Sequence, residues 1–275
     1  MIELMVGLML GLMVVAVAIG VLMVSRTVTG TVSDVSDIQQ QGAYALRVIG
    51  MQVRQAGSLY LNMNPSNTNV ENLLTAPVAF ETIIPASGLM SGFDPSKDTI
   101  SGASNPVTLR VNYRRYKESV HIDANELSLA RNCIGSPSND KDDRIIENIF
   151  KFQNNKLSCG GNGAFEQPII NNVADFQIRY LVQDNTSTPG NPKIKYSTLD
   201  SIGSEDWPKV QAIEVCLIIY GSEPVDMPSG SSYTGCDGSS QVDMTTLTGE
   251  RARRMHIPFR NTFQLRSQGL VGSVL

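Results

Sequence analysis

From Leu4 to Ser25 the chain reads LMVGLMLGLMVVAVAIGVLMVS, with no charged side chain and scarcely a polar atom. A helix of these roughly 22 residues would be about 33 Å long, the thickness of a bilayer's hydrocarbon core. A signal-peptide core is shorter and ends at a small-residue cleavage site. A helix buried in a soluble core would show a polar face, and none appears before Arg26. Such a segment needs lipid or other helices on every side. Whatever follows it must fold without drawing on those residues.

The helical pattern continues beyond Arg26 and changes character. Val28, Val32, Val35, Gly42, Ala45, Ile49, Val53 and Ala56 recur mostly at three- and four-residue steps. Asp34, Asp37, Gln40, Arg47 and Arg54 fall on other faces, and the first proline is Pro65. One helix to about Tyr60 is therefore predicted, with Gly20, Gly30 and Gly42 as places where it could bend. Its second half should lay one stripe on a packed domain. The expected organisation is an apolar half-helix over 1–25, an amphipathic half-helix over 26–60 and a β-rich domain over 61–275.

Downstream, β-branched and apolar runs alternate with stretches rich in Gly, Ser, Asn and Thr. Strands are predicted near Val78–Ile84, Val107–Tyr113, Ile145–Gln153, Val173–Val182, Val210–Tyr220 and Met255–Leu265. Loops are expected at Asn62–Pro77, Pro85–Asn105 and Gly221–Glu250. The fold class is α+β: a long N-terminal helix packed on a mainly antiparallel sheet. Four cysteines, Cys133, Cys159, Cys216 and Cys236, include no C-x-x-C pair, and His121 and His256 are the only histidines. Zinc clusters find no support there. An even cysteine count in loop-rich sequence after a membrane segment reads as two disulfides formed in an oxidising compartment. Of the three pairings available, proximity favours Cys133–Cys159 and Cys216–Cys236.

Glu3 stands at the head of the apolar run. An acidic residue in mid-membrane costs about 2.5–3.5 kcal/mol, and less near a helix end. Physics alone leaves two readings level: a carboxylate that waits for a partner, or one that sits among headgroups where the helix dipole favours it. Gly7 and Gly11 are spaced for close approach of a second helix.

The stretch Ile2-Glu3-Leu4-Met5-Val6 resembles the start of mature type IV pilins and type II secretion pseudopilins. Gln41-Gly42-Ala43-Tyr44-Ala45-Leu46 and Met51-Gln52-Val53-Arg54-Gln55-Ala56-Gly57 resemble the helix end of PilW-type minor pilins. So do Asn155–Cys159, Gln167–Tyr180, Trp207–Val215 and Arg251–Asn261, in the same order along the chain. The resemblance implies a structural subunit of a type IV pilus, most simply a minor pilin that primes or joins filament assembly. It implies an inner-membrane stage with a periplasmic domain, then a place in an extracellular pilus on the surface of a Gram-negative cell. The partners it implies are other pilin subunits, a prepilin peptidase that removes a basic leader, and the pilus assembly platform. Glu3 matches the family's glutamate, which pairs with the methylated terminal amine of a neighbouring subunit so that two charges in an apolar core compensate. Glu3 lies two residues nearer the start than the mature family arrangement places it, and no leader precedes it. Which residue carries the amine is thus left open. By the positive-inside rule Arg26, Arg47 and Arg54 would hold the following domain in the cytoplasm, and a basic leader would reverse that preference.

Other functions find less in the sequence. A net charge of −4 gives no general attraction to nucleic acid. There is no G-x-S-x-G, Walker loop, H-E-x-x-H or dinucleotide fingerprint, so no catalytic residue and no cofactor is expected. A signal-anchored periplasmic enzyme is the reading set aside; a pseudopilin or a major pilin stays in play. Asp140-Lys141-Asp142-Asp143 reads as a solvated acidic turn rather than a Ca²⁺ loop. Arg251, Arg253 and Arg254 read as a solvated edge. Trp207 beside Pro208 is expected half-buried at the start of a strand.

Overall fold

A computed structural model of the chain describes residues 2–57, 59–61, 78–80, 83–86, 92–119, 126–138, 144–184 and 193–266. Helix α1 (Ile2–Gln55) runs unbroken through Gly20, Gly30 and Gly42. After it come β1 (Leu59–Leu61), β2 (Val78–Phe80) and the single-turn helix α2 (Pro95–Asp98). The strands β3 (Ile100–Ser104), β4 (Val107–Arg114), β5 (Glu118–Ser119), β6 (Glu126–Leu127), β7 (Ile145–Gln153), β8 (Lys156–Gly161) and β9 (Ala164–Ile170) follow. The last part holds β10 (Val173–Asp184), β11 (Lys193–Ser197), β12 (Val210–Tyr220), β13 (Ser232–Thr234), β14 (Gln241–Asp243) and β15 (His256–Gln264). The larger sheets are antiparallel throughout: one of five strands in the order β3-β4-β7-β8-β9, the other of four in the order β11-β10-β12-β15. The α+β expectation is met.

Five of the six predicted strands lie where the alternation placed them, and Ile145–Gln153 and Val210–Tyr220 coincide with β7 and β12. Of the predicted Val78–Ile84, β2 covers Val78–Phe80 and Ile84 forms an isolated bridge with Phe93, while residues 81–82 lie outside the described residues. The predicted loop Pro85–Asn105 contains α2 and β3, and Gly221–Glu250 contains the β13–β14 hairpin. The loop Asn62–Pro77, His121 and the Asp140–Asp143 turn lie outside the described residues. β8, β9 and β11 were not expected. Two-residue turns set β8: Asn154 and Asn155 join it to β7, Asn162 and Gly163 to β9, and all four have positive φ.

One core holds helix and sheets together. Ile38, Ala45, Ile49 and Val53 of α1 meet Leu109, Val111, Phe150 and Leu157 of the five-stranded sheet and Phe176, Ile213, Val215, Leu217 and Phe263 of the other. The buried stripe on α1 is Asp34, Ile38, Gly42, Ala45, Ile49, Val53 and Ala56, at the three- and four-residue steps of a helix face. Val28 and Val32 are exposed, while Asp34, expected on another face, is buried. It is held there because its Oδ1 accepts the backbone N–H groups of Ser222 (2.7 Å) and Glu223 (3.3 Å). A Cβ on Gly221 would fall on the Asp34 carboxylate, so the contact requires glycine. The buried Gln52 is satisfied as well, accepting from the Tyr113 hydroxyl at 2.8 Å.

The helix lies close because it presents glycine to aromatic rings. Gly42 faces the ring of Phe259 and Gly50 that of Phe263, each close enough that an added Cβ would sit about 2.4–2.5 Å from a ring carbon. The spacings agree. Eight helical residues rise about 12 Å, and four strand residues span about 13 Å. Arg54 covers the outer side of Phe263, with its guanidinium carbon 5.6 Å from the ring centre. The backbone N–H of Arg266, just past β15, then donates to the Ala56 carbonyl at the helix end (2.7 Å).

The outer face of the four-stranded sheet carries a second small core of Cys216, Ile218, Tyr233 and Cys236 beneath the β13–β14 hairpin. This explains why β12 is apolar on both faces. His256 stacks on Tyr233 at 5.0 Å, and its Nδ1 lies 2.8 Å from the Arg254 carbonyl while Arg251 Nε donates to Nε2. Arg251 also donates to the Tyr233 hydroxyl (2.7 Å), and Arg254 to the carbonyls of Gly221 and Ser222. The arginines expected as a solvated edge therefore include two that tie the hairpin and the Asp34 turn in place; Arg253 alone is exposed, paired with Asp226. Trp207 is half-buried ahead of β12 and meets Tyr180 edge-on at 5.2 Å, as expected.

Two predictions follow from this packing. Gly50→Ala should destabilise the folded chain by about 1–3 kcal/mol, because overpacking a buried ring outweighs the roughly 0.5–1 kcal/mol that alanine gains in helix propensity. Gly42→Ala should cost less, since Phe259 is only half-buried and can swing away. Denaturant titration of the chain in micelles orders the two. The second concerns pH. Burial, with the nearby Arg251 charge, pushes His256 down to about 4 against an unfolded value of 6.5, despite the opposing bond to Arg254. The unfolded chain takes up that proton first, so stability is intact above about pH 6.5 and falls by up to about 3 kcal/mol as pH drops towards 4. A His256→Phe variant should show a flatter decline over the same range.

Candidate assembly surface

Beyond the domain, α1 continues with nothing packed on it. Every side chain from Ile2 to Arg26 is exposed, and one 18-residue window there has a mean hydropathy of 2.7. It is the one helix among the described residues long and apolar enough to cross a membrane. A single exposed apolar surface of this size is far beyond what a monomeric soluble protein leaves uncovered.

Glu3 lies in the first turn of α1, with its carboxylate in the half of the macrodipole that favours negative charge. Gly7 and Gly11 lie one turn apart, and nothing comes within 4 Å of a Cβ built on either. They form the floor of a shallow groove walled by Leu4, Leu8 and Leu12. A second groove has Gly20 between Val17, Val21 and Val24. Nine residues separate Gly11 from Gly20, which turns the helix through about 180°. The two grooves thus open on opposed faces, and such a helix can take close neighbours on two sides. Gly20, expected from the sequence as a place to bend, lies instead in an unbroken helix and floors the second groove.

The four cysteines form two disulfides, Cys133–Cys159 with Cα atoms 6.3 Å apart and Cys216–Cys236 with 5.6 Å. They stand far along the chain from Glu3, inside the β domain. The first ties the turn after Asn132 to β8. That turn is further held by the buried Asn148, whose Oδ1 accepts the Cys133 N–H (2.9 Å) and whose Nδ2 donates to the Val111 carbonyl (3.0 Å). The second pins the hairpin loop to β12. Beside it Glu214 accepts from Arg260 (2.8 Å), with Arg179 at 3.7 Å, and both arginines donate to the Cys236 carbonyl. Each closure stabilises by about 3 kcal/mol in the chain-entropy account.

Among the described residues no three His, Cys, Asp or Glu side chains come together as a metal would need. The displaced titrations are structural ones. Burial pushes the hydroxyls of Tyr113 and Tyr180 well up, and burial with the Arg251 charge pushes His256 down.

The family model described as type IV pilus-assembly protein W matches residues 139–267, which takes in β7 through β15. Among solved structures, a type IV-like pilin from Thermus thermophilus matches at 15% identity over 60% of this chain and 81% of that one. Its TM-score of 0.31 is too low to carry weight in the argument. No curated protein matches the chain. Over its C-terminal part the chain is thus similar to a type IV pilus-assembly family, and ahead of that part an exposed apolar helix runs into a pilin-like arrangement of one long helix on antiparallel sheets.

Proposed function

We propose that this chain is a minor pilin: it waits in the inner membrane on the apolar half of α1, then enters a filament through that same half. The observation that carries the reading is the division of one rigid helix. Its residues after Arg26 bury a stripe in the domain, and the side chains before Arg26 are exposed. Lipid satisfies that surface before assembly and neighbouring helices satisfy it afterwards, so transfer between them leaves the fold unchanged. A prepilin peptidase and an assembly platform are the partners this route requires, with other pilins in the filament and the domain facing the periplasm of a Gram-negative cell beforehand. Glu3 pairs in this proposal with a neighbour's terminal amine, and Gly7 and Gly11 admit the neighbour's helix. Stoichiometry separates a minor subunit from a major one or a pseudopilin, and mass spectrometry of sheared filaments reads it together with the true N-terminus.

Replacing Glu3 by Ala or Leu should leave the domain folded and membrane-inserted but deplete the chain from filaments. Breaking a buried ion pair from one side costs about 3–5 kcal/mol, which shifts an assembly equilibrium by orders of magnitude. Gly7→Leu with Gly11→Leu should act more mildly, through lost close packing. Each variant is quantified in membrane and filament fractions. Normal incorporation of the Glu3 variant would reduce the glutamate to a helix cap and end the proposed pairing.

A further inference from the structure

Between the apolar half of α1 and its packed half lies a stretch that neither an apolar surface nor the core supports. Val28-Thr29-Gly30-Thr31-Val32-Ser33 comes after the uncharged run and before Ile38, the first core side chain of the helix. Its residue types are all poor helix formers. The β-branched Val and Thr lose side-chain freedom in a helix, the serine hydroxyl competes for backbone groups, and glycine loses the most backbone freedom. Helical order in water comes mainly from packing one face, and here a single side chain provides it. From Val28 to Asp37, Asp34 alone is buried. We propose that Asp34 is a latch and residues 28–33 a swivel. While the carboxylate holds the turn after β12, α1 is one rod from its apolar half into the domain. When it lets go, residues 28–33 lose helical order and the apolar half swings against a domain that stays folded.

The receiving turn stands without Asp34. Gly221 N–H donates to the Met255 carbonyl (2.9 Å), Arg254 holds the carbonyls of Gly221 and Ser222, and Asn172 donates to the Ser222 hydroxyl (3.1 Å). Release therefore leaves the turn in place and hands its two N–H groups to water, a local opening rather than an unfolding. The latch is also only half satisfied. Oδ1 takes the N–H groups of Ser222 and Glu223, whereas Oδ2 is buried with no hydrogen-bond partner, and water would solvate it on opening. Both features keep the closed state from outweighing the open one by much. Gly30 completes the case. Nothing lies within 4 Å of a Cβ built on it, in contrast to Gly42 and Gly50, so packing gives no reason for glycine there. Its effect is to weaken the helix four residues before the latch. The device stands whether lipid or neighbouring helices cover the apolar half.

The test measures amide hydrogen exchange of the full chain in nonionic micelles, segment by segment. Asp34→Ala should speed exchange over 28–33 and at Ser222 and Glu223 at least tenfold, with 38–53 unmoved. Asp34→Asn, which keeps an acceptor for the Ser222 N–H, should speed it less. Adding Gly30→Ala to Asp34→Ala should restore about fivefold protection over 28–33, because alanine is the better helix former and has room there. Protection over 28–33 that Asp34→Ala leaves unmoved overturns the latch. A loss that spreads equally to 38–53 overturns the swivel, since Asp34 would then hold the whole helix. So does a double variant no better protected than Asp34→Ala alone.

Discussion

Phe259 and Phe263 press their rings onto Gly42 and Gly50, and that close approach of α1 to β15 sets the geometry of the rest. A helix held at ordinary distance would leave Ile38, Ala45, Ile49 and Val53 short of the five-stranded sheet, and the shared core would open. Because the rings and the glycines share one spacing, rotation or sliding of the helix would break both contacts at once. The register of α1 is therefore fixed at its second half alone. Its first half projects in a direction decided by the domain.

Such a helix needs a firm hold at the boundary as well as along the stripe. Asp34 supplies it. The carboxylate is buried eight residues past Arg26, where it takes the N–H groups of the turn after β12, and Arg254 takes that turn's carbonyls. Removing a charge from water is costly, and here two backbone donors offset part of the cost. One carboxylate oxygen, Oδ2, lacks a hydrogen-bond partner, so the contact fixes position more than it adds stability.

The sequence made the large features legible because they are periodic. An uncharged run, a shift to three- and four-residue steps, and alternating strands such as β7 each follow from which face is wet. What stayed hidden was decided by tertiary contact. Gly42 and Gly50 look like weak points in a helix until the facing aromatics are known. Asp34 looks like a solvent residue until the Ser222 turn reaches it. β3 and β8 are short of bulky side chains (Ser-Gly-Ala-Ser, Ser-Cys-Gly-Gly) because Tyr180 and the Glu147 backbone crowd their glycines. Yet Asn154-Asn155 and Asn162-Gly163 were readable hairpin turns, and reading them would have given β8 and β9. At the candidate assembly surface the Gly7–Gly11 groove is visible from spacing, whereas the opposed Gly20 groove needs the helix to be straight.

If the chain polymerises through its helix, as proposed, it must not polymerise through its sheets. The outer strands of the two large sheets are β3 and β9, β11 and β15, and each discourages edge pairing in its own way. Pro168 and Pro258 remove a backbone donor from β9 and β15. Lys193 and Lys195 put two exposed charges on β11, and β3 is only five residues long. Apolar strands as rich as β12 are kept inside, covered on one face by α1 and on the other by the disulfide-tied hairpin. In the proposed function directed association falls to the surface left bare, the apolar half of α1. A neighbouring helix seated in the glycine grooves there, as proposed, would leave every backbone hydrogen bond of α1 within the helix, so the surface proposed to associate is separate from the sheet edges that must not.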